Sequence, residues 1–131
     1  MGRAQEIKIS DAEMEIMEVI WDYGQTVTFG MIMAGLDKKR KWTNSTAHTL
    51  LQRLVNKGAV KCEKGFGKAF HYTAILEAKP YKFKVAKNMM NRFYNGSMSA
   101  FLAEWVDDHG ISDEDAEAMR RILNEQLEDK E

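Results

Sequence analysis

The chain has 131 residues, of which 44% are apolar and 30% charged. That suits one compact core with a helical appendage; it is short for two independent cores and too apolar for a disordered chain. No apolar run approaches the roughly 20 residues that span a bilayer, and Met1-Gly2-Arg3-Ala4-Gln5-Glu6 lacks the apolar centre of a signal peptide, so a cytoplasmic location is expected. The single cysteine, Cys62, cannot form an internal disulfide and supplies at most one thiolate, which leaves it as a small apolar core residue.

The net charge of −1 hides a polarised chain. Residues 1–75 carry 11 Lys and Arg against 8 Asp and Glu, whereas residues 76–131 carry 8 against 12. Within the first part, Lys38, Lys39, Arg40, Lys41, Arg53, Lys57, Lys61, Lys64 and Lys68 face one acidic residue, Glu63, across residues 38–68. A charge run is usually only a solvated face, so this footprint acquires meaning through its placement on the fold.

In chain order, Ser10 or Asp11 caps a first helix over about 11–23, with an apolar stripe of Ile16, Met17, Ile20 and Trp21 and a stop at Gly24. The β-branched Thr26-Val27-Thr28 predicts a short strand, and Ile32 and Leu36 mark a short second helix. A third helix runs from a cap at Thr43 or Asn44 to Lys57, with Gly58 as terminator. At 100° per residue, Ala47, Leu50, Leu51 and Leu54 share one side, while Ser45, His48, Thr49, Gln52 and Asn56 share the other. That second stripe contains no carboxylate, unlike an ordinary solvated face, and a carboxylate there would be repelled by phosphate.

Alternation in Val60 to Glu63 and in Phe70 to Ile75 predicts two strands, joined through Lys64-Gly65-Phe66-Gly67-Lys68 as a hairpin. Three short helices and a β-hairpin form the winged-helix order, a mainly α (α+β) fold. From residue 77 onwards the pattern is helical. Tyr81, Phe83, Ala86, Met90 and Phe93 mark one stripe, Phe101, Leu102, Trp105 and Val106 a second, and Ala116, Met119, Leu123 and Leu127 a third capped by Ser112. The boundary is set at 76/77, giving a winged-helix domain over 1–76 and a helical dimerisation region over 77–131. Three short helices do not easily close a core of their own; packing on the amino-terminal domain accounts for part of these stripes, and two chains are expected to interleave the rest through Phe93, Phe101, Leu102, Trp105, Met119 and Leu123.

The segments Ile9-Ser10-Asp11-Ala12-Glu13, Ile20-Trp21, Trp42-Thr43-Asn44-Ser45-Thr46, Thr49-Leu50-Leu51-Gln52-Arg53-Leu54, Lys57-Gly58 and Phe70-His71-Tyr72, with the Tyr81 region, resemble the penicillinase-repressor family of the BlaI/MecI/CopY type over nearly the whole chain. The resemblance implies a homodimeric repressor on a dyad-symmetric operator. In the best-known members a membrane sensor of β-lactams leads to proteolysis within the dimerisation region. The matching position is Glu104-Trp105, where those relatives carry Asn-Phe. Copper-responsive relatives carry paired cysteines near the carboxy terminus; none stands there in this chain. Ser45 and His48 occupy positions that are often basic in relatives, so the operator does not carry over.

In the expected complex with double-stranded operator DNA, Ser45, Thr46, His48, Thr49 and Gln52 approach base edges or nearby phosphates in the major groove. Arg53, Lys64 and Lys68 meet phosphates, and residues 38–41 either add phosphate contacts or form a solvated loop. Trp21 and Trp42 read as core, Arg53 as a possible partner of an acidic neighbour, and His71 and His109 as structural or solvated. A winged-helix protein-interaction module is the alternative, since fold does not fix function. No phosphate loop, nucleophile–base pair or ligand cluster points to an enzyme, cofactor or metal.

Overall fold

The computed structural model describes residues 7–36, 42–65, 67 and 69–129. The elements follow in the order α1 (Asp11–Tyr23), β1 (Val27–Thr28), α2 (Phe29–Leu36), α3 (Asn44–Lys57), β2 (Val60–Lys64), β3 (Phe70–Ala74), α4 (Ala78–Tyr94), α5 (Met98–His109) and α6 (Asp113–Asp129). The strands form an antiparallel sheet in the order β1-β3-β2. Tyr72 lies at its centre, opposite Val27 on one side and Cys62 on the other. Three helices with this small sheet are the winged-helix arrangement.

Local chemistry accounts for the helix ends. Ser10 caps α1, its hydroxyl accepting from the Glu13 N–H at 3.1 Å while the Glu13 carboxylate accepts from the Ser10 N–H at 2.9 Å. This reciprocal box satisfies two amides that helix geometry leaves without partners. Thr43 caps α3 in the same sense, accepting from the Thr46 N–H at 3.1 Å. Gly58 ends α3 at φ +85°, a left-handed conformation in which a side chain would be strained, and this turn sends the chain directly into β2.

The core lies among α1, α2, α3 and the sheet. Ile16, Met17, Ile20, Val27, Ile32, Leu36, Leu51, Leu54 and Val60 are completely or almost completely buried there. Trp21 and Trp42 are half-buried against it. The close approach of α2 to α1 depends on Gly35, because a Cβ at this position would lie 2.5 Å from Val19 Cγ1.

Cys62 departs from the sequence expectation. It is exposed on β2 and not part of the core. Only Val60 of that strand is buried, and β2 is the outer strand of the sheet, flanked by β3 alone, so Cys62 stays exposed although the Tyr72 it faces is buried. Phe70, at the start of β3, is likewise half open to solvent. Burial, and after it the charge and hydrogen bond of the adjacent Cys62 thiol, hold the Tyr72 hydroxyl above its ordinary pKa.

Two compact units divide at Tyr81 and Lys82, a little after the compositional change at 76/77. The shift has a physical cause. Although α4 begins at Ala78, its Tyr81 ring is buried and its hydroxyl accepts from the Ile9 N–H at 3.1 Å. Trp21 Nε1 donates to the Leu76 carbonyl at 2.9 Å just before it. The start of α4 thereby belongs to the first unit.

In the second unit, Ser97 caps α5 and Ser112 supplies the same contact at the start of α6. An aromatic ladder runs from Tyr94 through Phe101 and Trp105 to His109. The Tyr94 hydroxyl donates to Glu104 at 2.8 Å, and this bond to a carboxylate raises its pKa. Among the described residues after Tyr81, none is buried. No helix among the described residues is long and apolar enough to cross a membrane.

Candidate nucleic-acid interface

The exposed face of α3 follows from its phase. Ala47, Leu50, Leu51 and Leu54 are buried, and this orientation leaves Asn44, Ser45, Thr46, His48, Thr49, Gln52, Arg53 and Asn56 exposed. The helix has no carboxylate along its length. Its solvent face is therefore a row of amides and hydroxyls with one imidazole and one guanidinium, a composition able to hydrogen-bond a polyanion without repelling it.

Several of these side chains have local partners. The Thr49 hydroxyl donates to the Ser45 carbonyl at 3.0 Å, and the Gln52 amide donates to Asn56 Oδ1 at 3.3 Å. Thr43 and Thr46 share a hydroxyl contact of 3.1 Å. Each bond lies at the surface and can be exchanged for one to a ligand at modest net cost. His48 is held differently, stacked on Phe29 with ring centroids 3.7 Å apart and planes 4° apart.

The basic footprint separates into distinct roles. Lys64 is exposed at the end of β2, close to the hairpin turn in which the Gly65 N–H donates to the Ala69 carbonyl. Lys61 pairs with Glu63 at 3.2 Å, so the lone acidic residue of the footprint is matched on the same strand. Lys57 turns back to α1, where its ammonium reaches Glu13 at 2.6 Å. Lys68 and residues 38–41 lie outside the described residues.

His71 is half-buried over Gly65, where a Cβ would collide with the imidazole, and His109 is exposed against Trp105 and Asp108. Among the described residues no group of three His, Cys, Asp or Glu side chains is arranged to hold a metal ion.

The residues expected at a dimer contact all lie in the second unit. Phe101 and Leu102 are half-buried, whereas Phe93, Trp105, Met119 and Leu123 are exposed. Phe83, Met89, Met90, Phe93, Met98 and Phe101 line an apolar groove of about 950 Å³ along α4 and the start of α5. The Glu104-Trp105 bond lies inside α5, within its continuous helical run.

Sequence reading missed two residues that shape the α3 face. Phe29 has no distinguishing periodicity, and its stacking on His48 of another helix arises only in the folded chain. The other is Glu13, visible in sequence as a first-turn acidic residue, but its second partner stands 44 positions away.

The profile of the penicillinase repressor family matches residues 9–125. The chain is 32% identical to the penicillinase repressor of Bacillus licheniformis over 90% of its own length and 91% of the relative's. It is also 32% identical to the methicillin resistance regulatory protein MecI of Mammaliicoccus sciuri, covering 89% of this chain and 94% of the relative. Among solved structures, the DNA binding domain of the repressor BlaI aligns with a TM-score of 0.50 and 35% identity, over 56% of this chain and 89% of that domain. The chain therefore belongs to the penicillinase repressor family.

Proposed function

We propose that the chain is a homodimeric transcriptional repressor that occupies a dyad-symmetric operator, with α3 of each copy in the major groove. The carboxylate-free exposed face of α3 is the observation that carries this reading, supported by family membership and by the likeness to a repressor's DNA binding domain. Ser45, Thr46, His48, Thr49 and Gln52 take the base-facing positions, and Arg53, Lys64 and Lys68 take the phosphates. Occupancy of a promoter then blocks transcription sterically.

The dimer is supported by the second unit's unburied apolar surface. Phe83, Met98, Leu123 and Leu127 are each at least 60% exposed, which is costly for a helical unit standing alone. A second copy of the same helices covers these stripes around a two-fold axis, matching the symmetry of a palindromic operator. Cleavage at Glu104-Trp105 by a protease linked to a membrane sensor would release the operator by breaking this region. Because that bond is helical, cleavage requires α5 to open locally first.

The test is binding of the intact chain to genomic operator-containing fragments at rising salt, followed by gel shift. Affinity should fall linearly on logarithmic axes, with a slope of about −0.9 for each phosphate neutralised. Binding that did not change with salt, or equal binding to all fragments at every salt concentration, would contradict the reading and favour a protein-interaction module.

A further inference from the structure

The aromatic platform beneath His48 is a fixed part of the first unit. Phe29 begins α2 immediately after β1, whose Val27 and Thr28 pair with Tyr72 and His71 of β3. The Thr28 hydroxyl accepts from the Met31 N–H at 3.2 Å, securing the start of the helix, and the Phe29 side chain packs against the core. Sheet, cap and core thus define the position of the ring on which the imidazole lies.

His48 itself is exposed on the carboxylate-free face of α3. An unsupported histidine chooses among staggered χ1 wells and a broad χ2, so ordering it against DNA carries an entropic cost. A parallel stack at 3.7 Å restricts the tilt of the ring while leaving both nitrogens at its edge, in the plane where hydrogen bonds form. Thr49 and Gln52, by comparison, are held by exchangeable hydrogen bonds on their own helix.

We propose that Phe29 is a positioning residue for sequence readout: it holds the His48 imidazole in a fixed plane so that one ring N–H reads a guanine in each operator half-site. The inference rests on the DNA-binding reading above. Guanine is the base selected because its N7 and O6 place two acceptors side by side at the major-groove edge, whereas adenine puts an N6 donor beside N7. A single N–H aimed at that edge meets a second acceptor in guanine and a competing donor in adenine. The phenyl ring touches no DNA; it acts through the orientation of the imidazole.

The test combines selection from randomised duplexes with proton NMR of the free protein, using the full-length wild type, Phe29→Leu, Phe29→Tyr and His48→Ala. In the free wild type, the phenyl ring current should move the His48 ring protons upfield, a displacement lost in Phe29→Leu and kept in Phe29→Tyr. In the selections, His48→Ala should relax a guanine preference at one position per half-site by about tenfold. Phe29→Leu should relax the same position by a similar factor, and Phe29→Tyr should restore it.

Full selectivity at that position in Phe29→Leu would overturn the proposal, as would a Phe29→Leu effect spread evenly over the site. Absence of the upfield displacement in the wild type would also overturn it. A wild type that enriches no sequence would instead defeat the DNA-binding reading, and the inference with it. Enrichment at other positions with none relaxed by His48→Ala would defeat the inference alone.

Discussion

Lys57, the last residue of α3, places its ammonium 2.6 Å from the carboxylate of Glu13 in the first turn of α1, and also donates to the Lys8 carbonyl at 2.7 Å. Glu13 is 1% exposed and already serves the capping box with Ser10. One carboxylate therefore joins the start of the first helix to the end of the helix that carries the candidate DNA-facing residues. A basic residue that sequence places in the cationic footprint is used instead as an internal clamp.

Glu13→Ala should destabilise the first unit by about 2–3 kcal/mol, through loss of the cap and of a charge-assisted bond. Lys57→Met should cost about 1–2 kcal/mol, less than for a fully buried pair because water reaches the lysine side. Urea unfolding followed by tryptophan fluorescence measures both. Two values within about 0.5 kcal/mol of wild type would show that the clamp contributes little.

The same pair predicts an acid-sensitive contribution. Burial pushes the Glu13 pKa up, but the Lys57 hydrogen bond, the Ser10 contacts and the Lys57 charge outweigh it, leaving the folded-state value below 4.5. A carboxyl whose pKa is lowered by folding stabilises the protein above its unfolded pKa, and that contribution is lost as pH falls through the folded one. Between about pH 6 and pH 3, wild type should lose more thermal stability than Glu13→Gln, whose amide does not titrate. Parallel melting curves for the two proteins across this range would contradict the assignment.

At the α1–α2 contact, Gly35→Ala should cost about 1–3 kcal/mol, since the new methyl group would sit 2.5 Å from Val19 Cγ1. Val19→Ala removes that obstacle. The double variant should therefore be more stable than the two single losses added together, by at least about 0.5 kcal/mol. Strict additivity in chemical denaturation would place the strain elsewhere.

On α3, Arg53→Ala should weaken binding to operator and random DNA alike and reduce the steepness of the salt dependence by about 0.9 on logarithmic axes. Gln52→Ala should act mainly on operator DNA, by about 5- to 100-fold for one base contact. Fluorescence anisotropy on the two duplexes separates these effects. Equal losses on both duplexes from both variants would remove the division between phosphate and base contacts.

Leu123→Glu places a charge on the most continuous apolar stripe of α6, where Met119, Ile122 and Leu127 are also exposed. Light scattering should then give a monomer at micromolar concentration. Affinity for the complete dyad should fall at least about 100-fold, because two linked half-site contacts become independent. A variant that remains dimeric would move the contact away from α6.

Much of the first unit is legible in sequence because its cues are local. The cap at Ser10 with Glu13, the leucine phase of α3 and the turn at Gly58 each depend on residues a few positions apart, and they specify both the helices and the exposed side of α3. The resemblance to repressors is carried by the same segments. Tertiary structure alone decided that Phe29 supports His48, that Lys57 serves Glu13, and that Tyr81 belongs with the first unit. It also placed Cys62 at the surface, because alternation gives the two faces of a strand but not its position at the edge of a sheet. Periodicity determines the direction in which a side chain points; the partner it meets depends on segments that only folding brings together.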